Sequence, residues 1–453
     1  VTSIFLDKTP VRVESPEAMK SFFLQVYGCQ MNFYEAGVVR EIMKQAGYTE
    51  TRKERDAEIL LMITCAVRSH AEQRALGRFG TFRGIKQAEP GRIIGVLGCM
   101  AQRLKKTLAT GYGADLVIGP DQYRHLPQLI QAVRETGKPQ VAVKQTGECY
   151  NEIFPEPHRP VCGFVTVMRG CNNFCSYCIV PYTRGRERSK SPGQVLAEAE
   201  KLATHGIKDI TLLGQNVMAY HYQDHDFVSL LRKVHRVPGI KRIRFLTSHP
   251  NSSNEQIFAA MARMPKICPF LHLPLQSGSN RILKMMKRGY TREEYLTKIA
   301  LARKYLPGLG LTTDIMVGFP SETEEDFQDT LEVIKTVRFD FAYMFRYSVR
   351  PGTAAVQFAP KVSEAEAGQR LTRLIDAQNR ITRERTREML NRTFELLIES
   401  HARGSGMLGR TRNNKAVIVH SPLSVGETVT CQITRIKGWT PVAEVQAAVA
   451  LFQ

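Results

Sequence analysis

The chain has 453 residues, ten of them cysteine, and a formal net charge of +20. That length holds several domains with real cores. Cysteines this sparse exclude a short secreted disulfide scaffold and fit a reducing cytoplasm. The basic excess points to a polyanionic partner, nucleic acid first, and no apolar run is long enough to span a bilayer.

Residues 1–19 read as a loose leader. From 20 to 145, short apolar runs alternate with helical stretches, which predicts parallel strands covered by helices. The runs are Phe22–Cys29, Ile59–Cys65, Ile93–Cys99 and Ala114–Gly119. Cys29, Cys65 and Cys99 each end one run, just before a helix. In open α/β sheets that edge is where ligands bind, so the three thiols are expected to converge there. The helix starts that follow favour their thiolates.

Residues 146–160, with Gly147, Pro155, Pro157 and Pro160, read as a linker. Cys149 and Cys162 flank it as bystanders. From 161 to 362, six strand–helix beats predict a partial barrel, with strands Gly163–Arg169, Asp209–Gln215, Arg242–Ser248, Phe270–Gln276, Leu311–Gly318 and Phe341–Ser348. Chemistry in such barrels comes from loops after the strands.

The loop after the first of these strands contains Cys171, Cys175 and Cys178, separated by three and then two residues. A cubane normally takes four cysteines. Three leave one iron open, and a cofactor with an amine and a carboxylate can chelate it. Zinc would want a fourth ligand nearby, and none follows before Arg184. Polar strand ends at Gln215–Asn216, Thr247–Ser248–His249, Gln276–Ser277–Gly278 and Gly318–Phe319–Pro320 suit such a cofactor. His249 and His272 read as packing or hydrogen-bonding residues.

A charged helix over 363–390, with Leu371, Leu374, Ile375 and Ile381 at helical spacing, is expected to dock along the barrel. Residues 391–453 alternate apolar and polar residues over Phe394–Ile398, Ala416–His420, Glu427–Ile436 and Pro441–Val445. They predict a small antiparallel β-barrel. Arg403, Arg410, Arg412, Lys415, Arg435 and Lys437 give it a basic surface suited to RNA. The fold class is therefore α/β and multidomain: a parallel α/β domain, a partial (β/α)6 barrel and a small antiparallel barrel.

The Cys171–Cys178 spacing resembles the radical S-adenosylmethionine (SAM) superfamily. Nearly the whole chain resembles the methylthiotransferases, which join a three-cysteine domain, a radical SAM domain and a C-terminal TRAM domain. The words YGCQMN (27–32), GCNNFCSYCIVPYTRGRERS (170–189), LLGQNV (212–217), TSHP (247–250) and LPLQSGS (273–279) are similar to the branch that modifies N6-isopentenyladenosine in tRNA. By this resemblance Cys29, Cys65 and Cys99 hold an auxiliary 4Fe-4S cluster, and Cys171, Cys175 and Cys178 hold the SAM-cleaving one. Tyr177, Gln215, Asn216, Ser248 and Gln276 are expected to contact SAM.

Family members usually have Asn where this chain has Ile63, which leaves no amide near Cys65. The resemblance further implies a methylthio group added to carbon 2 of the adenine, an external electron donor, a sulfur source and a monomeric enzyme. Arg184, Arg186, Arg188, Arg410, Arg412 and Lys415 are expected on RNA. Three alternatives stay open: a sibling acting on threonylcarbamoyl-adenosine, one acting on a ribosomal-protein aspartate, and a non-catalytic iron-sulfur RNA-binding protein.

Overall fold

The structure is a computed structural model that describes residues 20–66, 69–157 and 159–446. The expected leader lies outside these residues. Strands β1 (Ser21–Val26), β2 (Thr49–Glu50), β3 (Ile59–Thr64), β4 (Ile93–Gly98), β5 (Leu116–Ile118) and β6 (Gln140–Ala142) form one sheet in the order β2-β1-β3-β4-β5-β6. Every pair in it is parallel. β3 and β4 are buried along their whole length, as continuous apolar runs covered on both faces must be. The strand order reverses between β1 and β3, the switch point where such sheets bind ligands.

The stretch from 146 to 160 is pinned to this sheet. Tyr150 and Ile153 are buried in its core, and the Tyr150 hydroxyl donates to the Pro120 carbonyl at 2.7 Å.

In the central region, β7 (Cys162–Thr166) leads into a short clasp, β8 (Met168–Arg169) paired antiparallel with β9 (Arg188–Ser189). β10 (Asp209–Leu213) follows, then a small hairpin of β11 (His221–Tyr222) and β12 (His225–Asp226), then β13 (Arg242–Phe245). β14 (Phe270–His272), β15 (Gly310–Val317) and β16 (Phe341–Arg346) complete the six beats. They form two parallel three-stranded sheets, β13-β10-β7 and β14-β15-β16. A parallel bridge from Ile243 to Ile267 joins them, so the six strands make an open half-barrel. The helices on it start where their sequences say, with capping boxes at Ser191, Thr291 and Thr323.

Helix Glu364–Arg387 lies along this half-barrel, against β16 and helix Glu324–Val337. It buries Ala367, Arg370, Leu374, Gln378 and Ile381, a stripe at three- and four-residue spacing. The last 50 or so described residues form a closed barrel in the order β17-β18-β19-β21-β20. Its strands are β17 (Thr393–His401), β18 (Met407–Thr411), β19 (Ala416–Val419), β20 (Thr428–Lys437) and β21 (Thr440–Val445). One pair, β19–β21, is parallel and the rest antiparallel. β18 is an unexpected fifth strand.

This small barrel sits on the N-terminal rim of the half-barrel strands. Arg242, which opens β13, donates to the Arg410 carbonyl at 2.6 Å, and Arg244 donates to the Thr411 and Arg412 carbonyls. Lys208, just before β10, donates to the Gly426 carbonyl at 2.7 Å.

Candidate metal centres

Cys29, Cys65 and Cys99 follow the neighbouring strands β1, β3 and β4, as expected. Cys29 caps helix Gln30–Gln45, and Cys99 opens helix Cys99–Leu104. Gly28 makes the approach of the first two possible. Its φ is +128°, and a Cβ there would lie 2.8 Å from the Cys65 Cβ. Asn32, one turn on, donates to the Tyr27 carbonyl at 2.7 Å and receives the Cys29 thiol at 3.7 Å. Ile63 packs fully buried in the sheet core, so it puts no polar group beside Cys65.

Cys171, Cys175 and Cys178 lie on the loop enclosed by the β8–β9 clasp. Gly170 turns the chain into it with φ +79°, and a Cβ there would fall 1.9 Å from the Arg186 carbonyl oxygen. The Cys178 amide donates to the Cys175 carbonyl at 3.0 Å, and the Asn173 amide donates to the Cys171 sulfur at 3.4 Å.

The two trios adjoin. Helix Cys99–Leu104 packs on helix Val180–Arg184, and Cys99, Ala66 and Ile179 share one small apolar cluster. Their electrostatics differ. A hydrogen bond from Cys65, with the Arg184 charge, brings the Cys29 thiol down to about 6. Burial, with repulsion from Cys175, pushes Cys178 up to about 12. Three thiolates crowded into one loop, with Cys175 buried and Cys171 and Cys178 half-buried, need a positive centre between them.

No three His, Cys, Asp or Glu side chains among the described residues close around a single ion. In a cubane each thiolate binds a different iron, so three thiols need not close on one ion. The chemistry of the donor sets, all thiol and three per site, therefore fits two iron-sulfur clusters better than zinc.

The strand ends around the second trio carry unmet polar groups. Gln276, four residues past β14 and bridged to Ile315 of β15, has φ +72°, and its buried Oε1 has no partner. His249 is held neutral, because burial and the charges of Arg288 and Lys298 push its pKa down to about 2. Its Nδ1 accepts the Asn251 amide at 3.2 Å, so the hydrogen is on Nε2, which is buried and unpartnered. A cofactor with amino, carboxylate and ribose groups supplies complements to both atoms.

Other expected contacts are already engaged. Gln215 Oε1 accepts the Gly170 amide at 2.5 Å. Asn216 accepts the His249 amide at 3.0 Å and donates to the Ser252 hydroxyl at 2.9 Å, so it orders the His249 loop. Ser248 is buried. Tyr177 packs against Ile282, Met286, Met316 and Phe319.

Most of the residues expected on RNA are engaged within the protein. Arg184 is buried and gives two hydrogen bonds to Glu35, at 2.6 and 3.1 Å. Arg188 donates to Asp121 at 2.5 Å. Arg186 is exposed, stacked over the Phe174 ring at 5.2 Å. Arg410 is bound to Glu399, and Arg412 donates to the Pro265 and Ile267 carbonyls across the joint. Lys415 lines a crevice of 380 Å³ between the two barrels, with Arg303, Arg385 and Arg392. Arg184, Arg188 and Arg412 hold domains together, because cations at a buried joint find carboxylates and carbonyls before solvent. Arg403, Arg435 and Lys437 are exposed cations of the small barrel.

Glu35, Arg169 and Arg288 were not legible as site residues. Arg169 is almost fully buried and donates to Glu35 at 2.8 Å. Only the fold brings these residues to the cysteines, and no local pattern in the sequence signals them.

Comparison with known proteins agrees with this domain order. Residues 165–334 match the radical SAM superfamily, 21–119 the uncharacterized protein family UPF0004, and 387–445 the TRAM domain. A tRNA-2-methylthio-N(6)-dimethylallyladenosine synthase from Parabacteroides distasonis is 45% identical over 88% of this chain and 89% of its own length. The chain belongs to that synthase family. A member from Moorella thermoacetica is 39% identical over 93% of this chain and 98% of its own. Among solved structures, the radical S-adenosylmethionine methyltransferase TsrM from Kitasatospora setae, with cobalamin and a [4Fe-4S] cluster bound, superposes with a TM-score of 0.57. It is 14% identical and covers 75% of this chain and 77% of its own, which supports the α/β multidomain fold alone. No helix among the described residues is long and apolar enough to cross a membrane.

Proposed function

We propose that this chain adds a methylthio group to carbon 2 of N6-isopentenyladenosine beside the anticodon of tRNA. The observation that carries the reading is the abutment of two three-thiol centres across Cys99 and Ile179. A purine held at that seam would touch both. Family membership supports the acceptor, because the relatives are named for that nucleoside.

In this reading Cys29, Cys65 and Cys99 hold one 4Fe-4S cluster, and Cys171, Cys175 and Cys178 the other. Each protein set leaves one iron free. Gln276 and His249 turn their unpaired atoms to SAM, while Gln215 and Asn216 fix the loops on which SAM rests. When bound, the two clusters and SAM supply the one-electron and group-transfer chemistry that no side chain here can perform.

The protein's work is to bind, orient and exclude water. The base leaves its stack to enter the seam, as bases in single-stranded loops do most readily. Arg186 beside the second trio, and Arg403, Arg435 and Lys437 on the small barrel, are exposed cations placed to meet phosphate. A reductant and a source of replacement sulfur come from outside.

The test is anaerobic reconstitution followed by nucleoside mass spectrometry on three tRNA pools: isopentenylated, threonylcarbamoylated and unmodified. The methylthio product is expected from the first pool only. Product from the second alone would move the chain to a sibling activity. Release of no 5′-deoxyadenosine from any pool would leave only an RNA-binding role.

A further inference from the structure

Arg288 is buried, 5% exposed, at the turn after helix Asn280–Met285. Its Nη2 donates to the Pro274 carbonyl at 2.9 Å, and its Nε to the Tyr290 hydroxyl at 3.1 Å. Its Nη1 faces the Cys175 sulfur at 3.4 Å and the Tyr177 hydroxyl at 3.5 Å. The Tyr290 ring lies 5.3 Å below the guanidinium. Among the described residues none of these partners is a carboxylate.

A buried guanidinium without a counter-ion is costly, on the order of several kcal/mol. Arg184, the cation beside the other trio, has Glu35 for its charge. Arg288 has only sulfur. The missing anion is therefore the thiolate-ligated centre itself.

We propose that Arg288 is the built-in counter-charge of the cluster held by Cys171, Cys175 and Cys178, and that it raises that cluster's reduction potential. The inference rests on the ligand assignment above. Reduction adds one negative charge to the cluster. A cation 3.4 Å from a ligating sulfur, in a site shielded from water, favours the reduced form. Arg288 thus acts as a positioning residue that eases electron entry.

The test is a dithionite-poised potentiometric titration of the reconstituted protein, read by electron paramagnetic resonance. Cys99→Ala serves as the background, so that only the second cluster reports. Arg288→Gln should lower the reduced-to-oxidised ratio about tenfold at fixed potential, which for a one-electron couple is about 59 mV. Arg288→Lys, which keeps the charge, should restore most of the shift. An unmoved midpoint in Arg288→Gln overturns the proposal. If Arg288→Gln loses its iron while Arg288→Lys keeps it, the charge is needed to hold the cluster, which supports the counter-charge role. Iron loss in both variants makes shape the requirement and overturns it. If the parent protein shows no cluster signal, the ligand assignment fails instead.

Discussion

Arg184 and Glu35 join the two halves of the molecule through a two-pronged ion pair at 2.6 and 3.1 Å, with both side chains out of contact with solvent. Glu35 comes from the helix that Cys29 caps, and Arg184 from the end of the second cysteine loop. The same carboxylate accepts Arg169 at 2.8 Å and the Tyr123 hydroxyl at 3.2 Å. Burial opposes its charge, but Arg184 and Arg169 prevail and hold its pKa below the usual carboxylate range. Glu35→Gln should leave two buried guanidiniums without their shared anion and cost about 3–5 kcal/mol. Urea denaturation reads this directly, and a cost below about 1 kcal/mol would mean that the network is not what holds the halves together.

The two cysteine trios should be separable. Wild-type protein, reconstituted anaerobically, should hold about eight irons per chain. Cys99→Ala and Cys175→Ala should each lose about half. Cys99→Ala should still release 5′-deoxyadenosine and make no methylthio product, whereas Cys175→Ala should do neither. Normal modification by Cys99→Ala would remove the first trio from the chemistry.

Glu322 predicts a pH effect on stability. Its carboxylate accepts the Gly318 amide and Arg370, each at 2.9 Å. Burial outweighs both and raises its pKa to about 7. The folded state therefore favours the protonated acid. Its contribution is fully present below about pH 4.5 and is lost as the pH rises through 7, amounting to roughly 3 kcal/mol. The stability difference between wild type and Glu322→Gln should shift against the wild type by that amount between pH 4.5 and 7.5. A flat difference would contradict the assignment.

The chain's one tryptophan is Trp439, 42% exposed beside β21 on the small barrel, with Arg383 stacked on it at 4.6 Å. If RNA follows Arg435 and Lys437 across this face, tRNA should quench its fluorescence. Each of Arg435→Ala and Lys437→Ala should weaken binding and reduce the slope of log K against log salt by about 1. Arg412→Ala should leave that slope alone, because its side chain serves the joint between barrels. An unchanged emission spectrum with saturating tRNA would place the RNA elsewhere.

Much of the architecture was legible from pattern. The buried runs that became β1, β3 and β4 ended at the three cysteines, and the shared position told of a shared edge. β18 escaped because Leu408 faces outward while Gly409 and Thr411 take the inward positions, which hides the alternation of a five-residue strand after the turn at Ser405–Gly406. Arg410, Arg412 and Lys415 read as RNA contacts because charge is visible in a sequence and its partner is not. Glu399 is eleven residues from Arg410, and Pro265 is far from Arg412, so only folding shows that both cations are engaged. Arg288 was silent for the opposite reason. Beside Lys287 it looks like an ordinary basic helix end, and nothing local says that its neighbour in space is Cys175.

Gly170 to Lys190 is a single short stretch, yet it serves both sides of the molecule at once. It presents three thiols to one centre and, through Arg184, the cation that faces the other. Lys190 at its end reaches the Tyr34 hydroxyl at 3.0 Å, again across the boundary. The N-terminal region is consequently no interchangeable cassette. Cut out alone, it would carry Glu35 stripped of both guanidiniums. A hybrid between two family members should inherit this segment from the same parent as helix Gln30–Gln45, or neither half will recognise the other.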